Sequence, residues 1–360
     1  MQNHTYADRR AAVCSQLEKS GLDALLVSYL PNVRYLTGFT GSNALLLLSP
    51  GRTQLLTDPR YTIQAAEEVD CPVTVVKKSL WKYLPTILGR SRWKNVGIEA
   101  AHLTVDLLHS LQSALPLGAT LQPAPPLVET ARMVKSESEI AAIRRSVATC
   151  SKAFERVLKR IRVTMTEIEV AAELDYEMRR LGADRPAFDT IVASGPRSAL
   201  PHAHPSSATL QMNQLLLIDM GASQAGYASD MTRTQSIGKL SPQLRRAYGA
   251  VLEAQMASLD AIRPNVTAGS VDRAARRVLR AHNLDTAFVH STGHGLGLEI
   301  HEPPRLGKAD KSLLRPGMVI TVEPGVYLQG LGGIRIEDTV LVTQTGCEVL
   351  TPTKKELLAL

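Results

Sequence analysis

Four consecutive aliphatic residues, Leu215–Ile218, run directly into Asp219, and no other feature constrains the fold of this chain as tightly. An unbroken apolar run of this kind reads as a strand covered on both faces. A carboxylate at its end is costly unless something pairs with it. Taken alone, Asp219 reads as a turn or helix-cap residue before it reads as a ligand. Eleven residues later, Asp230 sits in YASDMTRT, a strand-like stretch of alternating pattern. Gly221 and Gly226 permit a tight reversal between the two, so the strands are expected to pair and bring both carboxylates together. Two buried carboxylates side by side repel and stay protonated unless a cation sits between them. One buried and one solvated Asp is the plainer alternative.

The segment His290-Ser-Thr-Gly-His294-Gly-Leu-Gly-Leu-Glu-Ile-His301-Glu302 narrows the choice. Six of the nine histidines fall within residues 202–301, and glycines flank His294 on both sides, which lets backbone come close to a bound group. A lone histidine here would read as a satisfied core residue; three within twelve residues of a Gly-rich segment do not. Two more carboxylates emerge from apolar strands, Glu323 in VITVEPG and Glu337 in GIRIED. For Glu337 a surface strand charge is the simpler reading, although its strand is otherwise apolar at alternate positions. Together, two Asp, two Glu and one His make a mostly oxygen donor set. Such a set suits hard or borderline divalent ions, Mn²⁺ or Co²⁺ ahead of a tetrahedral structural zinc. Four carboxylates exceed the needs of one catalytic ion and fit two ions roughly 3.5–4 Å apart with bridging carboxylates.

The rest of the chain frames this set. Residues 1–126 alternate short apolar runs (DALLVSY, ALLLLS, QLLTD, VTVV, VGIEA) with amphipathic stretches at Arg9–Ser20, Tyr61–Val69 and Val105–Leu115. They predict an α/β domain with a sheet of about five strands. Gln122-Pro-Ala-Pro-Pro126, the most proline-dense stretch, is the expected boundary, and residues 130–360 form the second domain. There, Ser136 and Glu139 form a capping box ahead of a long helix, and Thr166 with Glu169 repeats it for a second, stopping at Gly182. Ser241-Pro242 opens a third helix to about Ile262, and a fourth runs from near Ser270 to Asn283. Strands are expected at Gln214–Met220, Tyr227–Ile237, Met318–Val322 and Ile334–Val342, making this domain α+β.

Composition excludes several classes. At 44% hydrophobic residues the chain is not disordered, and 360 residues exceed what one core usually fills. The longest aliphatic stretch, Ala44–Leu48, is far short of the roughly 20 residues a bilayer needs, so no membrane association is expected. The opening MQNHTYADRR carries no secretory apolar region, and Cys14, Cys71, Cys150 and Cys347 form no CxxC pair. Reduced thiols and a cytoplasmic protein are the expectation. The net charge of +7 is spread, with 13 Lys+Arg and 10 Asp+Glu in residues 1–134 against 28 and 24 in the remainder. With aromatics at 4% and no basic arm, nucleic-acid binding is not expected.

IDMGASQAGYASDMTRT, HSTGHGLGLEIHEPP, TVEPGVY and GGIRIEDTVLVT together resemble the pita-bread metallopeptidases, in their proline-specific branch of aminopeptidase P and prolidase. The resemblance covers about residues 130–350, and NVRYLTGFTGSNALLLL with LLTDPRY resembles the creatinase-type N-terminal domain of that branch. Methionine aminopeptidases lack that domain, and creatinases have lost the metal ligands. The resemblance implies that Asp219 chelates one metal, that Asp230 and Glu337 bridge both, and that His294 and Glu323 complete the other shell. Two divalent ions are implied, Mn²⁺ foremost, with Co²⁺ or Zn²⁺ as alternatives. Glu323 is implied as general base, His202, His290 and His301 as cleft histidines, and Arg335 as a supporting arginine. In this chain Ala203-His204-Pro205 follows His202, which departs from the family pattern and leaves open whether His204 also faces the cleft.

The activity implied is removal of the N-terminal residue from peptides with proline second, a bridging hydroxide attacking the Xaa-Pro carbonyl. A homodimer, with the N-terminal domain shaping the cleft entrance, is also implied. The length and the TGFTGSNA stretch favour aminopeptidase P over a Xaa-Pro dipeptidase. A dipeptidase needs a cation for the free carboxylate, for which Arg197, Arg233 and Arg335 are candidates. A non-catalytic peptidase-like binding module is the alternative from another class; the complete ligand set argues against it.

Overall fold

The run ALLLLS forms the strand Ala44–Ser49 with every residue buried, as a strand covered on both faces must be. In the computed structural model, which describes residues 5–360, it lies in a six-stranded mixed sheet. The order is Val73–Val75, Arg52–Thr57, Ala44–Ser49, Ala24–Val27, Asn95–Ile98, Thr120–Pro123. The strand Ala24–Val27 pairs antiparallel with Ala44–Ser49 and parallel with Asn95–Ile98. The sixth strand, not expected from sequence, takes up Gln122 and Pro123; as an edge position it tolerates a residue without an N–H. Two helices are also additional: Leu30–Thr37, and Leu80–Arg90, which contains Pro85. Glu99 accepts from the Ser28 and Tyr29 amides at 2.6 and 2.8 Å ahead of the first of these helices.

The chain divides into two units between Arg132 and Met133, beyond the proline-dense stretch. The short helix Leu127–Arg132 stays with the first unit because the buried Arg132 donates to Asn32 Oδ1 at 2.7 Å.

In the second unit the capping boxes at Ser136/Glu139 and Thr166/Glu169 start the helices Glu137–Leu158 and Glu167–Arg180. Phe154, Val157, Val170, Leu174 and Met178 from this pair pack on Leu216, Ile218 and Met220. Helices Pro242–Asp260 and Ala268–Ala281 place Val251, Ala254, Ala275 and Leu279 in a second cluster with Leu215, Val326 and Ile334. Helices thus cover the strand Gln214–Met220 from both sides, which is why its apolar run is unbroken. That strand lies between Ile191–Ser194 and Met231–Ile237 in an antiparallel three-stranded sheet. A five-stranded sheet follows the order Glu302–Arg305, His294–Gly295, Val319–Val322, Asp338–Val342, Cys347–Val349.

Two expected strands are broken. Tyr227–Ile237 divides into Tyr227–Ala228 and Met231–Ile237, and Ile334–Val342 into Gly332–Arg335 and Asp338–Val342. At each break the chain leaves one sheet and enters another, a change that a continuous apolar pattern does not report. Asp230 lies in the first gap and Glu337 in the second. All four cysteines are free, and among the described residues no helix is long and apolar enough to cross a membrane.

Candidate metal centre

Three of the four carboxylates occupy sheet crossings. Asp230 and Glu337 sit in the breaks just described, and Glu323 with Pro324 separates Val319–Val322 from Gly325–Leu328, strands of two different sheets. A crossing frees the backbone from the alternation of a single sheet, so a side chain can turn inward beside a buried strand. Asp219 stays inside its strand, opposite Thr232 and Ile191. His294 comes from a two-residue strand wedged between Glu302–Arg305 and Val319–Val322. Its flanking glycines are required by proximity: a Cβ on Gly293 would collide with the Thr321 carbonyl, and one on Gly295 with the Pro303 carbonyl.

The ligand atoms of Asp230, His294 and Glu337 all lie within 4.8 Å of one another. His294 Nε2 is 3.5 Å from both Asp230 Oδ2 and Glu323 Oε1. Its Nδ1 lies 2.9 Å from the Gly295 carbonyl. A carbonyl only accepts, so Nδ1 donates, and the ring is held with Nε2 facing two carboxylates. Asp230 and Glu337 are held well above the usual carboxylate range, by burial first and then by the repulsion of their acidic neighbours. Glu323 is raised too, chiefly by burial. Asp219 Oδ1 is buried with no hydrogen-bond partner among the described residues. An orphaned oxygen, mutually repelling acids and an inward imidazole nitrogen form a donor set that divalent cations would satisfy.

Neutral and cationic side chains orient the acids. Arg335 Nη2 donates to Asp219 Oδ2 at 2.6 Å, and its Nε donates to Thr232 Oγ1 at 3.0 Å. Thr232 in turn donates its hydroxyl hydrogen bond to Glu337 Oε2 at 2.6 Å. Thr321 Oγ1 accepts from the His294 amide at 3.1 Å and reaches Glu323 Oε1 at 3.4 Å. Arg335 Nη1 donates to the Tyr327 hydroxyl at 2.7 Å. Thr232, Thr321 and Tyr327 were not singled out from sequence. The available signal was their spacing, two or four residues from an acid in the sequence.

These groups open on a cleft of about 890 Å³ lined by His202, His204, His290, His301, Arg305 and the cluster itself. His202 and His204 are both exposed there. The ring of His301 meets that of His294 edge-on, with centroids 4.4 Å apart. His290 is different, because both of its nitrogens are engaged, Nδ1 with the Ser291 carbonyl and Nε2 with Tyr327 Oη, each at 2.8 Å. Burial lowers it to about 4, so the neutral ring donates from Nδ1 and accepts the tyrosine proton at Nε2. It lines the cleft without a free donor, which departs from the substrate contact expected of it. Of the three arginines considered for a substrate carboxylate, all are committed: Arg197 to Glu167, Arg233 to Asp338 and Arg335 to Asp219.

Two family models match the chain, metallopeptidase family M24 over residues 141–344 and the creatinase/prolidase N-terminal domain over residues 9–134. A Xaa-Pro dipeptidase of Pyrococcus horikoshii is 37% identical over 345 residues, covering 95% of this chain and 96% of its own. The solved structure of a Xaa-Pro dipeptidase from Bacillus anthracis superposes with a TM-score of 0.96 at 36% identity, over 99% of this chain and 100% of its own. An X-Pro aminopeptidase from Thermotoga maritima gives a TM-score of 0.89 at 37% identity, over 95% and 99% of the two chains.

Proposed function

The chain belongs to metallopeptidase family M24, and from that premise we propose that it hydrolyses Xaa-Pro dipeptides. It is a hydrolase whose second domain has the pita-bread fold, and the family implies divalent metal ions. The observation that carries the reading is the Nε2 atom of His294 facing Asp230 and Glu323 beside Glu337. We assign Asp219, Asp230, His294, Glu323 and Glu337 as the groups that hold two divalent ions, Mn²⁺ foremost. When bound, such ions neutralise the four carboxylates, polarise the scissile carbonyl and acidify a water molecule.

The protein's own groups do the rest. Arg335 and Thr232 fix the rotamers of Asp219 and Glu337, so the acids meet the substrate preorganised. Glu323 takes the proton of the attacking water and returns it to the prolyl nitrogen as the C–N bond breaks. That proton lets the prolyl nitrogen depart as a neutral secondary amine. His202 and His301, at the cleft surface, are the donors for the carbonyl oxygen as it gains charge.

Dipeptides replace the longer substrates favoured by the sequence for two reasons. Two of the three similar proteins named above are Xaa-Pro dipeptidases. The cleft also holds Arg305, exposed and opposite His294 across the strand pair, with Nε on Ser291 Oγ at 3.3 Å. Among the described residues its guanidinium has no acidic partner, which suits it to a free carboxylate. A homodimer and a cytoplasmic location, supported by the family resemblance and the free cysteines, belong to the same proposal.

The deciding experiment compares Ala-Pro with Ala-Pro-Ala using protein loaded with Mn²⁺, Co²⁺ or Zn²⁺. Turnover confined to the dipeptide is expected; faster cleavage of the tripeptide restores the aminopeptidase reading. Full turnover by Mn²⁺-loaded Asp230→Ala or Glu337→Ala would remove the metal centre from the reaction.

A further inference from the structure

Lys135 and Glu302 form an ion pair 2.9 Å long whose side chains are 1% and 3% exposed. A buried pair of this kind contributes little net stability, because desolvating two charges cancels most of their attraction. Its location suggests another use. Glu302 directly follows His301 and closes the turn that carries it. Its Oε1 accepts from the Glu299 amide at 3.2 Å, and Glu302 pairs across the strands with Gly295, next to His294. Within the turn, the Gly297 amide donates to the Glu299 carbonyl at 2.9 Å, and the Gly297 carbonyl accepts from Ala228. Lys135 reaches this carboxylate from a segment remote in the chain. Its amide donates to the Gly317 carbonyl at 2.9 Å, and Val134 bridges Met318, immediately before the strand Val319–Val322 that leads to Glu323. One side chain therefore ties the strand leading to Glu323 to the turn carrying His301. The junction is tight: a Cβ on Gly297 would sit 2.8 Å from Glu302 Oε1 and 3.0 Å from Lys135 Cε.

We propose that Lys135 is a positioning residue for hydrolysis, acting through the Glu302 carboxylate to hold His301 over the cleft beside His294. This rests on the assignment of His301 as a substrate contact in the reaction above. Neither Lys135 nor Glu302 belongs to the cation-holding set, so their loss should spare metal binding while displacing His301. A misplacement of about 1 Å at such a group lowers turnover by roughly 100-fold.

The test is a double-mutant cycle on the metal-loaded full chain, combining Lys135→Met with His301→Ala, with metal content and crystal structures alongside. Lys135→Met is expected to lower kcat ~100-fold with little change in KM, and to cost nothing further once His301 is alanine. Metal stoichiometry should stay at the wild-type value, and the turn at 297–302 should move relative to His294. Gly297→Ala, which keeps both charges but crowds them apart, should reproduce the kcat loss. Lys135→Met/Glu302→Met removes both buried charges together; it should recover thermal stability without recovering kcat. An equal kcat loss from Lys135→Met in the His301→Ala background would overturn the proposal, as would recovery of kcat with stability in the double variant. If the wild-type protein cleaves no Xaa-Pro substrate, the functional reading fails by itself. The position of His301 in Lys135→Met then still decides this proposal, an unmoved ring overturning it and a displaced one supporting it.

Discussion

Arg335 donates to Asp219 Oδ2 at 2.6 Å from a side chain only 3% exposed, the one arginine or lysine paired with a carboxylate of the cluster among the described residues. Burial would weaken its charge, but Tyr327, Asp219, Glu323 and Glu337 hold it well above its ordinary range. Arg335→Met should destabilise the metal-free protein by about 3–5 kcal/mol, because Asp219 is left as an unpaired buried charge. Metal affinity should fall ~10–100-fold as the acid loses its orientation. Urea unfolding and metal titration measure the two effects. A variant as stable as wild type with unchanged affinity would show that Arg335 merely fills space.

The metal-free protein should lose stability as pH rises. Asp230 and Glu337 have folded-state pKa values above their unfolded ones. The folded state therefore binds more protons over that interval, and stability present below about pH 4 is lost on going through the raised values. Bound divalent ions stabilise the ionised acids, so the loaded protein should show the opposite trend. Melting temperatures of chelated and loaded samples from pH 5 to 8 compare them; parallel curves would contradict the assignment.

His290 should stay neutral throughout the working range. With a folded pKa of about 4 against an ordinary 6.5, set mainly by burial, it resists protonation. Its contribution to stability is fully present above 6.5 and lost only as pH falls toward 4. Its ring NMR signals, assigned with His290→Gln, should not titrate between about pH 5 and 8. A midpoint near 6.5 would mean that the Tyr327 contact is not kept in solution.

Arg305→Gln should raise KM for Ala-Pro ~10–100-fold, the equivalent of about 1.5–3 kcal/mol for a charge-assisted hydrogen bond. Ala-Pro-amide, which has no carboxylate, should be turned over equally by both proteins. Steady-state kinetics on the two substrates decide it, and an identical KM increase for the amide would exclude carboxylate recognition.

Two of the acids were legible because each interrupts an apolar run. Asp219 after Leu215–Ile218 and Glu323 after Val319–Val322 are anomalies on desolvation grounds alone. The helices of the second unit were equally open to reading, since their capping boxes are local, three residues apart. The breaks at Asp230 and Glu337 were not, because a strand that changes sheets keeps the same apolar pattern on both sides. Partner choice was hidden for the same reason. Nothing local distinguishes Arg305, exposed in the cleft, from Arg233, which is sealed against Asp338.

From sequence alone came the acid and histidine inventory, the apolar strands that present it and the division into two domains. These follow from burial and hydrogen-bond costs that each residue carries with it. Tertiary structure decided which charges neutralise which: Arg335 with Asp219 across 116 residues and Lys135 with Glu302 across 167. Such pairings depend on distances of a few ångströms between segments remote in the chain, and those distances exist only once the sheets have closed around the centre.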